Sequence, residues 1–266
     1  LEAGLTASDL DMIIFATLSP DINFPGSSCI LQGMLGIPGI ATLDIRNQCT
    51  GFVYGLSIAD QFIKTGMMKN VLVVGAEVHS SGLDMSDSGR DVTVLFGDGA
   101  GAVLFEPNSD GMGLQDEYLR SDGSGREFLK IEAGGSILPA SEDTLKNGQH
   151  FVHQEGKTVF KFAVSNMADV AEKMLTRNQL TNDDISWLVP HQANKRIIEA
   201  TAKRVNLDAA KVMMNIHKYG NTTSATLPLL LADYEHLLKK GDNLIFAAFG
   251  GGFTWGAIYL KWAYNS

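Results

Sequence analysis

The sequence predicts an α/β fold of two duplicated βαβ halves, with facing sheets and layered helices. Three observations carry this. Stretches rich in β-branched residues alternate with helical stretches, which is the pattern of parallel strands joined by crossover helices. The same alternation returns after Gly111, dividing the chain into residues 1–110 and 111–266. Finally, LDIRNQC-T (Leu43–Thr50) and MNIHKYGN-T (Met214–Thr222) each deliver a polar residue to the start of a following helix, one in each half.

In chain order, Asp11–Ser19 reads as a buried strand, Pro25–Leu35 as a helix, Ala41–Ile45 as a strand, Thr50–Thr65 as a helix and Asn70–Val78 as a strand. FGDGAGA (Phe96–Gly101 and the residue after) reads as a structural turn, since an Asp flanked by glycines suits one. It is no GxGxxG opening a helix, so a nucleotide-phosphate site is not implied. Ser121–His153 is glycine-rich, polar and poorly periodic, and reads as a surface excursion. In the second half, helix Val159–Arg177, strand Ile185–Pro190, helix Asn194–Val205, strand Val212–His217, helix Thr222–Lys239 and strand Asn243–Phe249 follow. Gly250, Gly251, Gly252 and Gly256 interrupt the long uncharged stretch Leu244–Leu260, which fits a tight connection between two strands and not a membrane helix.

The 266 residues are 45% hydrophobic and carry a net charge of −9, the mark of an acidic globular protein with a proper core. An acidic balance argues against general nucleic-acid binding. Two cysteines cannot build a disulfide framework. No secretory leader opens the chain. Leu1–Gly4 reads like the tail of a helix, so the natural gene product is expected to extend upstream of Leu1, and the first sheet to have an open edge in the given chain.

Chemistry is expected beyond the carboxyl ends of the strands. Cys49 lies between a strand and the helix Thr50–Thr65, where free N–H groups and the helix dipole can lower a thiol pKa. A nucleophile and a small buried residue are both compatible with that position. Cys29, on the apolar side of FPGSSCILQGML, reads as plainly buried. His191 follows a strand end and precedes a helix, which suits a proton manager or a structural hydrogen-bonder. Asn221 holds in the second half the place of Cys49 in the first, and also fits an ordinary turn. In Phe249–Phe253 the glycines allow either an oxyanion hole or tight strand packing. No His, Cys and carboxylate cluster has metal-ligand spacing. On a helical wheel, Asn194–Asn206 sets Ile197, Ile198, Thr201 and Val205 opposite Lys195, Arg196, Lys203 and Arg204.

RNQCTGFVYGLSIADQFI, RDVTVLFGDGAGAVLFE, WLVPHQANKRIIEATAKR, KYGNTTSATLPLLL and FGGGFTWG together resemble the β-ketoacyl-acyl carrier protein synthase III family, the initiating condensing enzymes of bacterial fatty-acid synthesis. The resemblance covers nearly the whole chain and implies the thiolase fold and a cytoplasmic homodimer. It implies a catalytic triad of Cys49, His191 and Asn221, with the N–H groups of Cys49 and Gly251 as oxyanion hole. Phe24 matches a residue that crosses the dimer to bound the partner's acyl pocket. Arg196, Lys203, Arg204 and Lys161 match the docking site of the acidic acyl carrier protein, and Arg90 lies near the pantetheine entrance. The implied substrates are an acyl-CoA, acetyl-CoA first, and malonyl-acyl carrier protein, with no cofactor, metal, nucleic acid or membrane involved. Thiolases would bring a second cysteine near the C-terminus and elongating enzymes a histidine at position 221, neither of which this chain has. A synthase III-like enzyme of secondary metabolism and an idle subunit of a condensing heterodimer are the alternatives. Complete members begin with a further strand and helix, of roughly 30 residues or more, that include a coenzyme A contact. The excursion Ser121–His153 is longer than the family's usual segment.

Overall fold

The computed structural model describes residues 4–265 and contains two four-stranded sheets. The helix end expected at Leu1–Gly4 falls largely outside the described residues. The first sheet has the order β2-β1-β3-β4, with β1 (Met12–Ala16), β2 (Ala41–Ile45) and β3 (Val71–Glu77) parallel and β4 (Gly99–Phe105) antiparallel. The second has the order β5-β10-β9-β8, with β5 (Gly113–Ser121), β8 (Trp187–Pro190), β9 (Asn243–Gly250) and β10 (Thr254–Lys261). There β8 and β9 run parallel and β10 is antiparallel to both its neighbours. Among the described residues, β10 is flanked by β5 while β4 has no strand on its outer edge.

Alternation along the strands explains the layering. Ile14 and Val73 turn into a central core shared with Phe246 of β9, whereas their neighbours Ile13 and Val74 point to an outer cluster. Between the sheets lie α2 (Gly51–Lys64) and α8 (Thr226–Tyr234), through Phe52, Leu56, Leu227 and Leu230. On the far face of the second sheet, α5 (Gly156–Arg177) and α6 (Lys195–Arg204) cover Ile245 and Ala247 with Met167, Met174 and Ile197. Outside the first sheet, α1 (Ser27–Leu35) adds Leu31 to the outer cluster. Strands covered on both faces read as continuous apolar runs, which is why their positions were legible.

Four expectations are corrected. Val212–His217 is not a strand: only Val212 bridges to Leu188, and α7 (Ile216–Tyr219) follows. The reason is Gln192, whose buried side-chain oxygen accepts the N–H groups of Asn215 and Ile216 at 3.0 and 3.1 Å and ends the extended run. The helix expected over Thr222–Lys239 is α8 flanked by two 3-10 turns, Thr223–Ala225 and Glu235–Leu237. Cys29 is exposed, because α1 presents that side outward. FGDGAGA is a turn only as far as Asp98, whose carboxylate caps His79 and Ser80 N–H groups at 2.7 and 2.9 Å; the glycines beyond it form β4.

Ser121–His153 also holds more structure than expected. A 3-10 turn at Gly123–Glu127, β6 (Leu129–Ile131) paired with β7 (Val152–Gln154), and α4 (Glu142–Lys146) make a compact strap. β3 packs tightly against the turn before α8. A Cβ at Gly75 would lie 2.3 Å from the Ser224 carbonyl oxygen. Gly75→Ala should therefore lower stability by about 1–3 kcal/mol through overpacking, read as a lower midpoint in urea with an unchanged slope.

Candidate active site

Cys49 sits in a 3-10 turn, Gln48–Thr50, that opens directly into α2. The Thr50 hydroxyl ties this turn to Asn47 and to Thr254 of β10, both at 2.8 Å. From the other side Gly250 closes on it so tightly that a Cβ there would come within 2.9 Å of the Cys49 Cβ and backbone nitrogen. Only glycine permits this approach. The placement at the helix start agrees with the sequence, but the thiol does not behave as expected. Burial, then the nearby Glu77 carboxylate, push it up to about 12 and outweigh the Thr223 hydroxyl, which pulls it down.

His191 extends the β8–β9 ladder through its N–H to Ala247 (2.8 Å) and is fully buried. Burial holds its imidazole neutral, with the pKa lowered to about 3. Its Nδ1 meets the Thr226 hydroxyl at 2.7 Å. That hydroxyl also lies 2.9 Å from the Thr223 carbonyl, which already accepts the Thr226 N–H. The hydroxyl proton goes to that carbonyl in one tautomer of the ring and to Nδ1 in the other, in which Nε2 carries the N–H. Among the described residues no group hydrogen-bonds to Nε2, which is buried. Next door, Gln192 holds the chain crossing and Asn194 caps α6 by accepting the Arg196 N–H at 2.8 Å.

Asn221 is pinned through its backbone to Leu95 and Gly97 (2.9 and 3.0 Å) and accepts the Thr223 N–H on Oδ1 at 2.9 Å. With the oxygen engaged, the amide NH₂ is directed away from that turn as a pair of donors. Cys49, His191 and Asn221 all line one cavity of about 390 Å³, with Phe249 and Gly250. A second cavity of about 350 Å³ opens on the other side of Cys49, lined by His79, Thr223, Arg46 and Gly251. Cys49, Phe96 and Leu129 belong to both.

The remaining predicted residues lie further out. Phe24 is 88% exposed and lines neither cavity. Arg90 opens α3 (Arg90–Thr93), whose Asp91 and Val92 border the first cavity. Ile197, Ile198, Thr201 and Val205 are buried and the four cations of α6 exposed. Of these, the Arg196 guanidinium lies 5.0 Å over the Phe160 ring, and Arg204 pairs with Asp169 and Glu172 at 3.3 and 3.0 Å. Lys161 is exposed on α5 beside a separate hollow that includes Asp122 and Trp255. Sequence reasoning missed His79, Thr223, Phe96 and Leu129. His79 carried a signal, since it follows β3 much as His191 follows β8; Leu129, inside an aperiodic segment, carried none. Among the described residues no group of His, Cys, Asp and Glu could hold a metal, and no helix is long and apolar enough to cross a membrane.

Comparison with known proteins adds a family to this geometry. Two family profiles match: 3-oxoacyl-acyl-carrier-protein (ACP) synthase III over residues 43–123, and the C-terminal part of the same synthase over residues 175–262. The chain is 48% identical over 264 residues to beta-ketoacyl-acyl-carrier-protein synthase III 2 of Bacteroides thetaiotaomicron, covering 99% of this chain and 78% of that protein. It is 50% identical over 263 residues to the synthase III of Chlorobaculum tepidum, covering 97% and 79%. Among solved structures, the 3-oxoacyl-acyl-carrier-protein synthase III of Aquifex aeolicus superposes with a TM-score of 0.88 at 40% identity, covering 98% of this chain and 80% of that one. A chain with this thiolase-like arrangement and this degree of identity belongs to the β-ketoacyl-acyl carrier protein synthase III family of condensing enzymes.

Proposed function

We propose that this protein joins an acyl group from coenzyme A, acetyl first, to malonyl-acyl carrier protein with loss of carbon dioxide, giving 3-oxoacyl-acyl carrier protein at the start of fatty-acid synthesis. The observation that supports it is the convergence of Cys49, His191 and Asn221 on one cavity. In the first stage the Cys49 sulfur bonds to the thioester carbonyl carbon, the bond to coenzyme A breaks, and the departing sulfur takes the thiol proton. The N–H groups of Cys49 and Gly251 hold the oxyanion. In the second, the malonyl carboxylate leaves as carbon dioxide, and the resulting enolate oxygen receives hydrogen bonds from His191 Nε2–H and the Asn221 amide. The enolate carbon then attacks the acyl carbon and Cys49 departs as thiolate, taking a proton from solvent. A histidine held neutral by burial suits this step, because a donor without a strong acid does not quench the carbanion.

No cofactor or metal takes part in this scheme, and the protein works in the cytoplasm. The halves divide at residues 110 and 111, and two copies pair. β2 is an edge strand, and Phe24 and Met34 near it are 88% and 80% exposed, an apolar surface of the kind a second copy covers. Phe24 then bounds the partner's acyl cavity. Arg196, Lys203, Arg204 and Lys161 receive the acidic carrier protein, with Arg90 at the pantetheine entrance.

Incubation with radiolabelled acetyl-CoA should label Cys49 alone; label on Cys29, or labelling that persists in Cys49→Ser, overturns the assignment. Asn221→Ala and His191→Ala should keep this acylation within a few-fold and lose condensation by about 100-fold or more, as for removal of an oxyanion donor. Equal loss of both stages would show the roles to be divided wrongly. Reversing Arg196 and Lys203 to Glu should raise KM for malonyl-acyl carrier protein about tenfold and flatten its salt dependence, while leaving malonyl-CoA turnover unchanged. An equal loss with malonyl-CoA removes the docking role.

A further inference from the structure

A second histidine lines a cavity that shares Cys49 with the cavity of His191. His79 follows β3, is 4% exposed, and its Nε2 lies 2.6 Å from the Thr223 hydroxyl. His79, Thr223 and Cys49 line the same second cavity, and the two 3-10 turns that carry Cys49 and Thr223 pack directly together. Phe96 supports the His79 ring at 5.0 Å, and the Asp98 carboxylate accepts the His79 backbone N–H at 2.7 Å. Thr223 has φ of +50°, a conformation that β-branched residues avoid. It is held there from both sides, its N–H by Asn221 Oδ1 and its carbonyl by Thr226. Backbone strain maintained by surrounding bonds is a feature of functional sites, and here the strained residue is one whose hydroxyl meets an imidazole at 2.6 Å on the wall of the cavity that Cys49 lines.

We propose that His79 and Thr223 are positioning residues: His79 donates Nε2–H to the Thr223 hydroxyl, which in turn donates its proton to the Cys49 sulfur and favours the thiolate. This rests on the reading of Cys49 as nucleophile. The need for such a chain is visible in what surrounds the sulfur. Glu77 of β3 faces it with a negative charge, and burial opposes ionisation. His191 in the first cavity is neutral, and Arg46, Arg126 and Lys130 stand on the wall of the second cavity, the last two engaged by Glu127 at 2.7 and 2.6 Å. His79 is itself held neutral by burial, against the pull of Asp98, with its pKa lowered to about 4, so it remains a donor without charge across the working range. The Thr223 hydroxyl pulls the thiol pKa down, in the direction the chain requires.

The test reads the thiol directly, so it stands apart from whether Cys49 is the residue acylated. Alkylation by iodoacetamide is followed at pH 8 on the Cys49 peptide by mass spectrometry, which separates it from the exposed Cys29. Thr223→Val and His79→Ala should slow labelling of Cys49 about tenfold, one pKa unit. Thr223→Ser and His79→Gln, which restore a hydroxyl and a side-chain N–H, should recover most of the rate. A variant that unfolds would label faster, because an unfolded thiol returns to its ordinary pKa, so misfolding cannot imitate the expected result. Labelling that is unchanged or faster in folded Thr223→Val and His79→Ala overturns the proposal, as does failure of both conservative variants to recover it.

Discussion

The active centre depends on the requirement that a wholly buried polar turn, Asn221–Thr226, find partners between two sheets. Each unmet hydrogen bond in such a place costs about 1–3 kcal/mol, against a total stability of about 5–15, and among the described residues only the Thr222 hydroxyl of this turn's side chains goes without a partner. Ser224 donates to Ala16 and to Glu77, Thr226 meets His191, Thr223 meets His79, and Asn221 binds back to Thr223. Glu77 is the anchor at the other end. Its buried carboxylate also takes N–H groups from Leu18 and Ser19 and the Ser19 hydroxyl, at 3.1, 3.2 and 2.7 Å. One set of bonds thus aligns the end of β1, the end of β3 and the start of α8, and the side chains proposed to be catalytic are aimed as part of the same arrangement.

Charge in this centre is managed by exclusion. Both histidines are kept neutral by burial, Glu77 is pushed up by burial despite its hydrogen bonds, and the thiol is pushed up by burial and by Glu77. Beside the Glu77 carboxylate, what remains are oriented dipoles: a ring N–H, an amide, hydroxyls and backbone N–H groups at a helix start. Such groups stabilise charge as it develops without carrying charge themselves, which fits a reaction that passes through an oxyanion, an enolate and a thiolate in turn.

Much of this was legible in the sequence because it follows from local patterns. Ile13-Ile14 and Val73-Val74 point to opposite faces of covered strands and so announce buried sheet, while the wheel of α6 separates Ile197 and Ile198 from its cations. The strand-end and helix-start positions of Cys49, His191 and Asn221 suited chemistry and ordinary structure alike, and it was the family resemblance of their motifs that singled the three out. What stayed hidden depends on distant partners. Val212–His217 has strand composition but loses its ladder to the Gln192 side chain, and the thiol is raised by burial and then by Glu77, which is distant in sequence and adjacent only in the fold. Leu129 reaches both cavities from a segment whose composition suggests only a loop.

That segment has a consequence for how the enzyme can change. Among the described residues the β6–β7 strap pairs only with itself, forming a two-stranded sheet apart from the two main ones. It nevertheless places Leu129 and Gln154 in the first cavity and Leu129, Lys130, Ile131 and Val152 in the second. The frame that aims the catalytic groups and the wall that shapes the space around them are therefore written in separate stretches of chain. Phe128 and Leu129 pack against the core of the second sheet, whereas Ile131 and Val152 belong to none of the core clusters, so substitutions at those two positions alter cavity shape at little cost to the sheets while the rest of the sequence stays under the strict demands of folding.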